Sequence, residues 1–566
     1  MRATCSVVTL FYILAATAQA AIIVPDDHDT IGEAIAAASD GDTVLVRAGT
    51  YSGDGNVNLD FEGRNLSLIG IDGARCTAID CGGTARAMLS HTGEDTTSVV
   101  RGFTFTGGSA DEGGAIWCSG ASPLIDACIF SASTASIGGA LKLTESEAVI
   151  QSCLFSDNEA THHGGYLYGG GAIHCHSSSP VLRDCEFTGN SGHCGGAVYL
   201  TTESNARLMD CTFTSNEVMG YGGAVFCYLG SNAIVTRGVF TTNTAGYRGG
   251  AILTAECDSR ITECVFDRNV AYTDYSSYGG GAICVDGGSP GIRYCEFTSN
   301  EAVRGGAVQC VDGASPWVRD CLFADNSASR GAGLYCREGS APGVEDCHFE
   351  GGLSVSGAGV FSHSSSPQLR RCTFVGNEAT GQELVQGGGA VFAYAGDPLI
   401  VGCTFAQDVA LYGGAVLLSD VSLASVSRVT VADCVGSQGA AFFIANSGLK
   451  LANVIISECD GPAAGAVTPM TVTAKCTDIW GSTGGDWVGP LADLLGVSGN
   501  ISEDPLFCGD INPETPYTLH GDSPCAPESD PDCGRMGAWD VGCAPTTGVQ
   551  ELLQDASWGT IKHLFR

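Results

Sequence analysis

The stretch Ser179-Pro180-Val181-Leu182-Arg183-Asp184-Cys185-Glu186-Phe187-Thr188-Gly189-Asn190-Ser191-Gly192-His193-Cys194-Gly195-Gly196-Ala197-Val198 decides the architecture, because each of its marks recurs along the chain. The Gly-Gly-Ala-apolar ending returns with its third residue at Ala115, Ala140, Ala172, Ala197, Ala224, Ala251, Ala282 and Ala307. Variants continue it at Gly333, Gly359, Ala390, Ala415 and Ala441. Successive spacings are 25, 32, 25, 27, 27, 31, 25, 26, 26, 31, 25 and 26 residues. Between these marks lies Cys-x-Phe, at Cys128, Cys153, Cys185, Cys211, Cys264, Cys295, Cys321, Cys347, Cys372 and Cys403. Asn follows the Phe position by three residues at Asn158, Asn190, Asn216, Asn243, Asn269, Asn300, Asn326 and Asn377, and Ser-Pro often precedes the Cys by five.

A period of 20 to 50 residues points to a solenoid or an array before any local reading does. Apolar residues fall at spacings of two in stretches of three to five, broken by Gly, Ser-Pro and Asn, which is the pattern of short strands joined by corners. No helical period runs through the unit. A parallel β-solenoid follows, each coil pairing with the next and rising about 4.8 Å. Cys and Phe, two apart, are expected to point inward together. GGA is expected at a corner where backbone crowds the next coil. Asn is expected to take a left-handed bend and to stack as a hydrogen-bonded column. The ladder residues are thus Cys185, Cys211, Cys264, Cys295 and Cys321, with Asn190, Asn216, Asn243, Asn269 and Asn300. A second Cys column is expected after GGA at Cys118, Cys175, Cys227, Cys284, Cys310 and Cys336.

Composition narrows the function. The 566 residues carry 62 acidic and 26 basic side chains, for a net charge of −36, and offer no basic surface for a phosphate backbone. Nucleic acid is therefore not an expected partner. Residues 1–20 read as a signal peptide, with an apolar run from Val7 to Ala16 and an Ala18-Gln19-Ala20 cleavage site. No later segment reaches the roughly 20 apolar residues of a membrane span. The expectation is an exported monomer, secreted or at the cell surface.

The run Val24-Pro25-Asp26-Asp27, Thr30-Ile31-Gly32-Glu33-Ala34-Ile35, Gly41-Asp42-Thr43-Val44-Leu45-Val46 and Gly49-Thr50-Tyr51 resembles the opening of right-handed parallel β-helix proteins of the pectin-lyase-like superfamily. The GGA and Phe-x-x-Asn pair resembles the repeats of chlamydial polymorphic outer-membrane proteins, which are autotransported adhesins. The resemblance implies an all-β, right-handed parallel β-helix of roughly 16–17 coils. It implies an N-terminal cap with a short helix and first coil over 21–60, repeats over 61–480, an irregular Cys-rich C-terminal cap over 481–544, and a linker and tail over 545–566. That superfamily holds lyases, hydrolases, esterases and epimerases as well as noncatalytic binders, so the fold leaves activity open.

Inverting hydrolases of this type need one carboxylic acid and a second carboxylate activating water. The chain has Gly192-His193-Cys194 in place of Gly-His-Gly and no Arg-x-Lys. Where pectin methylesterases continue Gly-x-Tyr-x-Glu, it reads Gly49-Thr50-Tyr51-Ser52-Gly53. No catalytic residue, cofactor or metal ligand stands out, and calcium has no recognisable loop. The reading is a noncatalytic binding or structural rod, with a polysaccharide lyase or glycoside hydrolase as the rival.

The binding candidates are the insertions. Three spacings are long, and each places its extra residues on the same corner before GGA, four coils apart. One carries His162, His163, Tyr166 and Tyr168; the next carries Tyr272, Asp274, Tyr275 and Tyr278. The third, around Glu383 and Gln386, is plain, while Tyr221, Tyr247 and Tyr412 stand before other corners. Rings beside polar groups suit sugar rings or a cell-surface protein.

Overall fold

The unit that begins at Leu124 shows how one coil is made. Leu124–Asp126, Ile129–Ser131, Thr134–Ile137 and Leu141–Thr144 are strands of three or four residues, and each pairs in parallel with its counterpart one coil on. The computed structural model describes residues 21–162, 165, 168–272, 278–384, 386–509 and 516–543. Over them the coils stack into sheets of 32, 16 and 12 parallel strands, the 16-stranded one carrying the residues after GGA. The parallel β-solenoid is thus the architecture of the protein.

Inside, like stacks on like. Phe105, Phe130, Phe155, Phe187, Phe213, Phe240, Phe266, Phe297, Phe323, Phe349, Phe374 and Phe405 form one continuous stack, with neighbouring ring centroids 4.5 to 5.1 Å apart. That separation is the interstrand spacing itself, so parallel pairing fixes the ring offset. The Cys-x-Phe cysteines lie beside the stack, buried and unbridged. Cys185 Sγ donates to Ile150 O of the preceding coil at 3.5 Å, and Cys211 Sγ to Leu182 O at 3.7 Å. Desolvation drives the thiols of Cys153, Cys295 and Cys347 well above their ordinary pKa. They behave as small hydrophobes with weak donors.

The asparagines form a buried ladder. Asn190 Nδ2 donates to Asn216 Oδ1 at 2.9 Å and to Phe155 O at 3.0 Å. The same pattern links Asn216 to Asn243, Asn243 to Asn269 and Asn269 to Asn300. Each oxygen also accepts the backbone N–H of the preceding Asn, as Asn216 Oδ1 does from Asn190 N at 3.1 Å. One expectation is corrected here. The left-handed residue is not Asn but its predecessor: Asp157, Ser215, Thr242, Arg268, Ser299 and Asp325 have φ of 52 to 55°. The bend at the predecessor turns the Asn side chain inward, where it closes the corner.

GGA stands where backbone meets backbone. A Cβ on Gly196 would lie 2.2 Å from Gly223 O, and one on Gly223 would lie 1.9 Å from Gly250 O. The second Cys column also needs correction: Cys118, Cys175, Cys227, Cys310 and Cys336 share the inward position, but register pairs Cys284 with Leu253 and Gln309 on the opposite face. Cys284 follows the third residue of its Gly-Gly-Ala mark by two residues, and the others follow theirs by three.

At the N-terminal end Ile31–Ala37 is a helix opened by a Thr30–Glu33 capping box. Its buried Ile31, Ala34 and Ile35 join the core with Val24 and Val44. At the other end, three nine-residue strands, Ala424–Ala432, Leu449–Ser457 and Val472–Trp480, complete the stack. The chain then returns along their outer side. Asn453 Nδ2 donates to Cys533 O and Arg535 O, Ala538 N donates to Thr430 Oγ1 at 3.0 Å, and Trp539 Nε1 donates to Thr404 Oγ1 at 2.7 Å. Disulfides Cys476–Cys533 and Cys508–Cys543 fasten this segment. Residues 1–20 and the tail 545–566 lie outside the described residues.

Candidate functional site

Strands of the 16-stranded sheet alternate faces, so when Ile116 and Cys118 point into the main core, Trp117 points away from it. The same outward column runs on through Lys142, His174, Tyr199, Phe226, Cys284, Tyr335 and Phe361 to Phe443. An outward face is ordinarily wet, yet Tyr199, Phe226, Tyr335 and Phe361 are buried. The corner segments fold over them. Tyr221 and Tyr228 pack on the part around Phe226, while Tyr394 and Tyr412 pack on the part around Phe361.

Arginines complete this covering layer. The guanidinium carbon of Arg86 lies 5.4 Å from the Trp117 ring centre, Arg248 lies 5.0 Å from Tyr278, Arg304 5.3 Å from Tyr335, and Arg330 5.4 Å from Phe361. In each case the arginine belongs to one coil and the ring to the next. Such pairs are worth about 0.5–2 kcal/mol, more as water is excluded.

The corner around the second insertion carries the densest chemistry. Tyr221, Tyr247 and Tyr278 form a run with centroids 5.3 and 5.2 Å apart, and His193 meets Tyr221 edge-on at 6.4 Å. Arg248, seated over Tyr278, forms an ion pair with Asp286. The Asp286 carboxyl is raised to about 6, by burial first and then by a hydrogen bond with Asp312, while Arg248 opposes both. Two neighbouring carboxyls, an arginine and a tyrosine thus stand within one corner.

The predicted site residues divide accordingly. Tyr278 lies in this corner, and Tyr272 is 51% exposed beside it. In the first insertion His162 and Tyr168 stack on each other at 3.6 Å, so those rings partly cover one another. His163, Tyr166, Asp274 and Tyr275 lie outside the described residues. Arg248, Asp286 and Asp312 were not singled out from sequence; the signal was the column position of Arg248, directly before Gly249-Gly250-Ala251.

Lys142 is buried on the same outward column, with Nζ 2.6 Å from His174 Nδ1, and burial draws its pKa down to about 8. A cavity of about 620 Å³ opens in the C-terminal region, lined by Glu503, Asp504, Asp522 and Asp530 among others. Among the described residues no group of three or more His, Cys, Asp or Glu is placed to hold a metal ion, and no helix is long and apolar enough to cross a membrane.

Stacked parallel coils, inward ladders and one covered outer column define a β-helix. The Right handed beta helix region family matches residues 75–266 and 249–392, more than half of the chain, and the protein belongs to that family. Two solved structures are similar. One, described as "Structure of PL6 family alginate lyase AlyGC", has 8% identity and a TM-score of 0.20, covering 86% of this chain and 100% of its own. The other is the Azotobacter vinelandii mannuronan C-5 epimerase AlgE6 A-module, with 14% identity and a TM-score of 0.21, covering 84% of this chain and 93% of its own. Likeness at that level carries no argument about activity. No curated protein matches the sequence.

Proposed function

We propose that the protein is an exported, noncatalytic β-helix rod, secreted or held at the cell surface, that binds glycans along its tyrosine corner. The observation behind this reading is the run Tyr221–Tyr247–Tyr278, half-buried rings repeated coil by coil beside polar groups. Rings of this kind stack on sugar faces while their hydroxyls bond the rim. The two disulfides fit an oxidising compartment, and the signal-peptide pattern of residues 1–20 fits export. A cell-surface protein is the alternative partner for the same surface.

A second reading, a polysaccharide lyase or glycoside hydrolase, draws on the Asp286–Asp312 pair beside Arg248 and Tyr278. A carboxyl held near pH 6 beside a second carboxylate is the arrangement that acid–base chemistry on a glycosidic bond employs.

One experiment separates the two. The protein is incubated with neutral and acidic polysaccharides, with and without calcium, and both retention and release of reducing or unsaturated ends are measured. Retention without products, lost in Tyr247→Ala and Tyr278→Ala, supports the binder. Products that vanish in Asp286→Asn overturn it in favour of the enzyme. Absence of both removes the glycan reading.

A further inference from the structure

The two coils beyond the tyrosine corner carry arginines on the same edge. Arg304 and Arg330 occupy equivalent positions in register on adjacent coils, directly before Gly305-Gly306 and Gly331-Ala332. Arg337 and His363 pair in register on the neighbouring sheet, and His363 stacks on Tyr394 at 5.0 Å. The groups share one electrostatic neighbourhood. Burial lowers the pKa of Arg304, and the positive charges of Arg330 and Arg337 lower it further. Burial likewise lowers His363, with Arg330, Arg304 and Arg337 all adding to the effect.

Several arginines elsewhere find carboxylates: Arg237 pairs with Asp210, Arg371 with Asp346, and Arg248 with Asp286. The chain carries 62 acidic residues, so partners are plentiful. Yet among the described residues Arg304 donates only to a neutral oxygen, Tyr335 OH at 2.9 Å, and Arg330 forms no ion pair; Arg337 pairs with Glu338. Two like charges in register without counter-ions, as at Arg304 and Arg330, cost stability and persist where something else offsets the cost. A guanidinium seated on a ring keeps its charge and its planar fork of donors, the geometry that matches a carboxylate or sulfate.

We propose that Arg304, Arg330, Arg337 and His363 form a subsite for the sulfate or carboxylate groups of an acidic glycan, with Tyr335 and Phe361 as its floor. This deepens the glycan reading and rests on it. The net charge of −36 repels a polyanion at long range, so retention of one has to come from a local cluster.

The test uses the full chain at about 150 mM salt, where the Debye length is about 8 Å. Binding is measured to dextran sulfate, polygalacturonate and uncharged dextran. The Arg304→Gln/Arg330→Gln double variant is expected to lose about tenfold or more of its affinity for the anionic glycans while dextran binding is unchanged. The Arg304→Lys/Arg330→Lys variant, which keeps the charge, falls between, and an Arg260→Gln variant on another sheet binds as the parent does. Equal thermal midpoints show that the variants fold. Tighter binding of dextran sulfate than of polygalacturonate assigns the subsite to sulfate, and the reverse assigns it to carboxylate. Anionic glycans bound no better than dextran, or an undiminished double variant, overturn the subsite and leave the glycan reading standing. Failure to bind any of the three removes both.

Discussion

Asn377 Nδ2 donates to Asp408 Oδ1 at 2.9 Å, so the asparagine ladder passes its last amide to a buried acid. Asp408 follows Phe405 by three residues, as the asparagines follow their own Phe residues. Its Oδ1 also accepts from Asn377 N, while Oδ2 has no hydrogen-bond partner among the described residues. Full burial raises its carboxyl from 3.8 to about 7, although the Asn377 bonds pull the other way.

Stability should therefore fall as pH rises. The unfolded acid loses its proton near pH 4 and the folded one near 7, so between them the unfolded chain binds fewer protons and gains ground. An Asp408→Asn variant supplies the same acceptor and nothing to ionise. It should match the parent near pH 4 and exceed it by up to about 4 kcal/mol above pH 7, since each tenfold change in proton affinity is worth about 1.4 kcal/mol. Urea unfolding across pH 4–8 reads the difference, and a constant gap across that range contradicts it.

Gly223→Ala should abolish the folded rod or lower its thermal midpoint sharply, because the new Cβ would stand 1.9 Å from Gly250 O in the tightest layer of the corner. Gly291→Ala is the control: a Cβ there meets nothing within 4 Å. Soluble yield and circular dichroism on heating distinguish the pair. Equal behaviour would show that the corner can spread.

Thiol labelling should report a single reactive cysteine. Cys76 is exposed, whereas the other free cysteines among the described residues are buried, and thiols such as Cys118 and Cys175 are raised to about 12 by burial. On residues 21–566, Ellman's reagent should modify Cys76 alone under native conditions and all free thiols in guanidinium. Rapid native labelling of many thiols would mean that the coils open.

Asp312→Asn should lower the Asp286 pKa from about 6, since it removes a neighbouring negative charge; burial keeps the carboxyl above 3.8. Carboxyl-carbon NMR titration follows it directly. The parent should also lose stability between about pH 4 and 6 relative to this variant, by the same sign argument as for Asp408.

The repeat was legible because it is written in local offsets. Cys-x-Phe and Phe-x-x-Asn fix which side chains enter the core within a single corner, and stacking then multiplies that choice. The misplacement of Cys284 shows where offsets fail: one residue changes the face, and only pairing with Leu253 and Gln309 reveals which. The left-handed residue before each Asn was missed because several residue types fill it. The arginine–ring pairs were hidden for a different reason. Arg304 and Tyr335 are 31 residues apart, and their contact depends on coil-to-coil register. The Asp286–Asp312 pair and the return of Trp539 to Thr404 likewise arise only once the coils are stacked.

Because Arg86, Arg248, Arg304 and Arg330 each cover a ring of the following coil, successive coils meet at equivalent joints. Arg304 and Arg330 are 26 residues apart and stand in the same column. Excision of residues 305–330 would set Arg304 before Gly331 and over Phe361, where Arg330 now sits. The gene could shed or duplicate this segment by unequal crossing-over and still encode a matched covering at the seam. The length of the rod is thus set in steps of one coil.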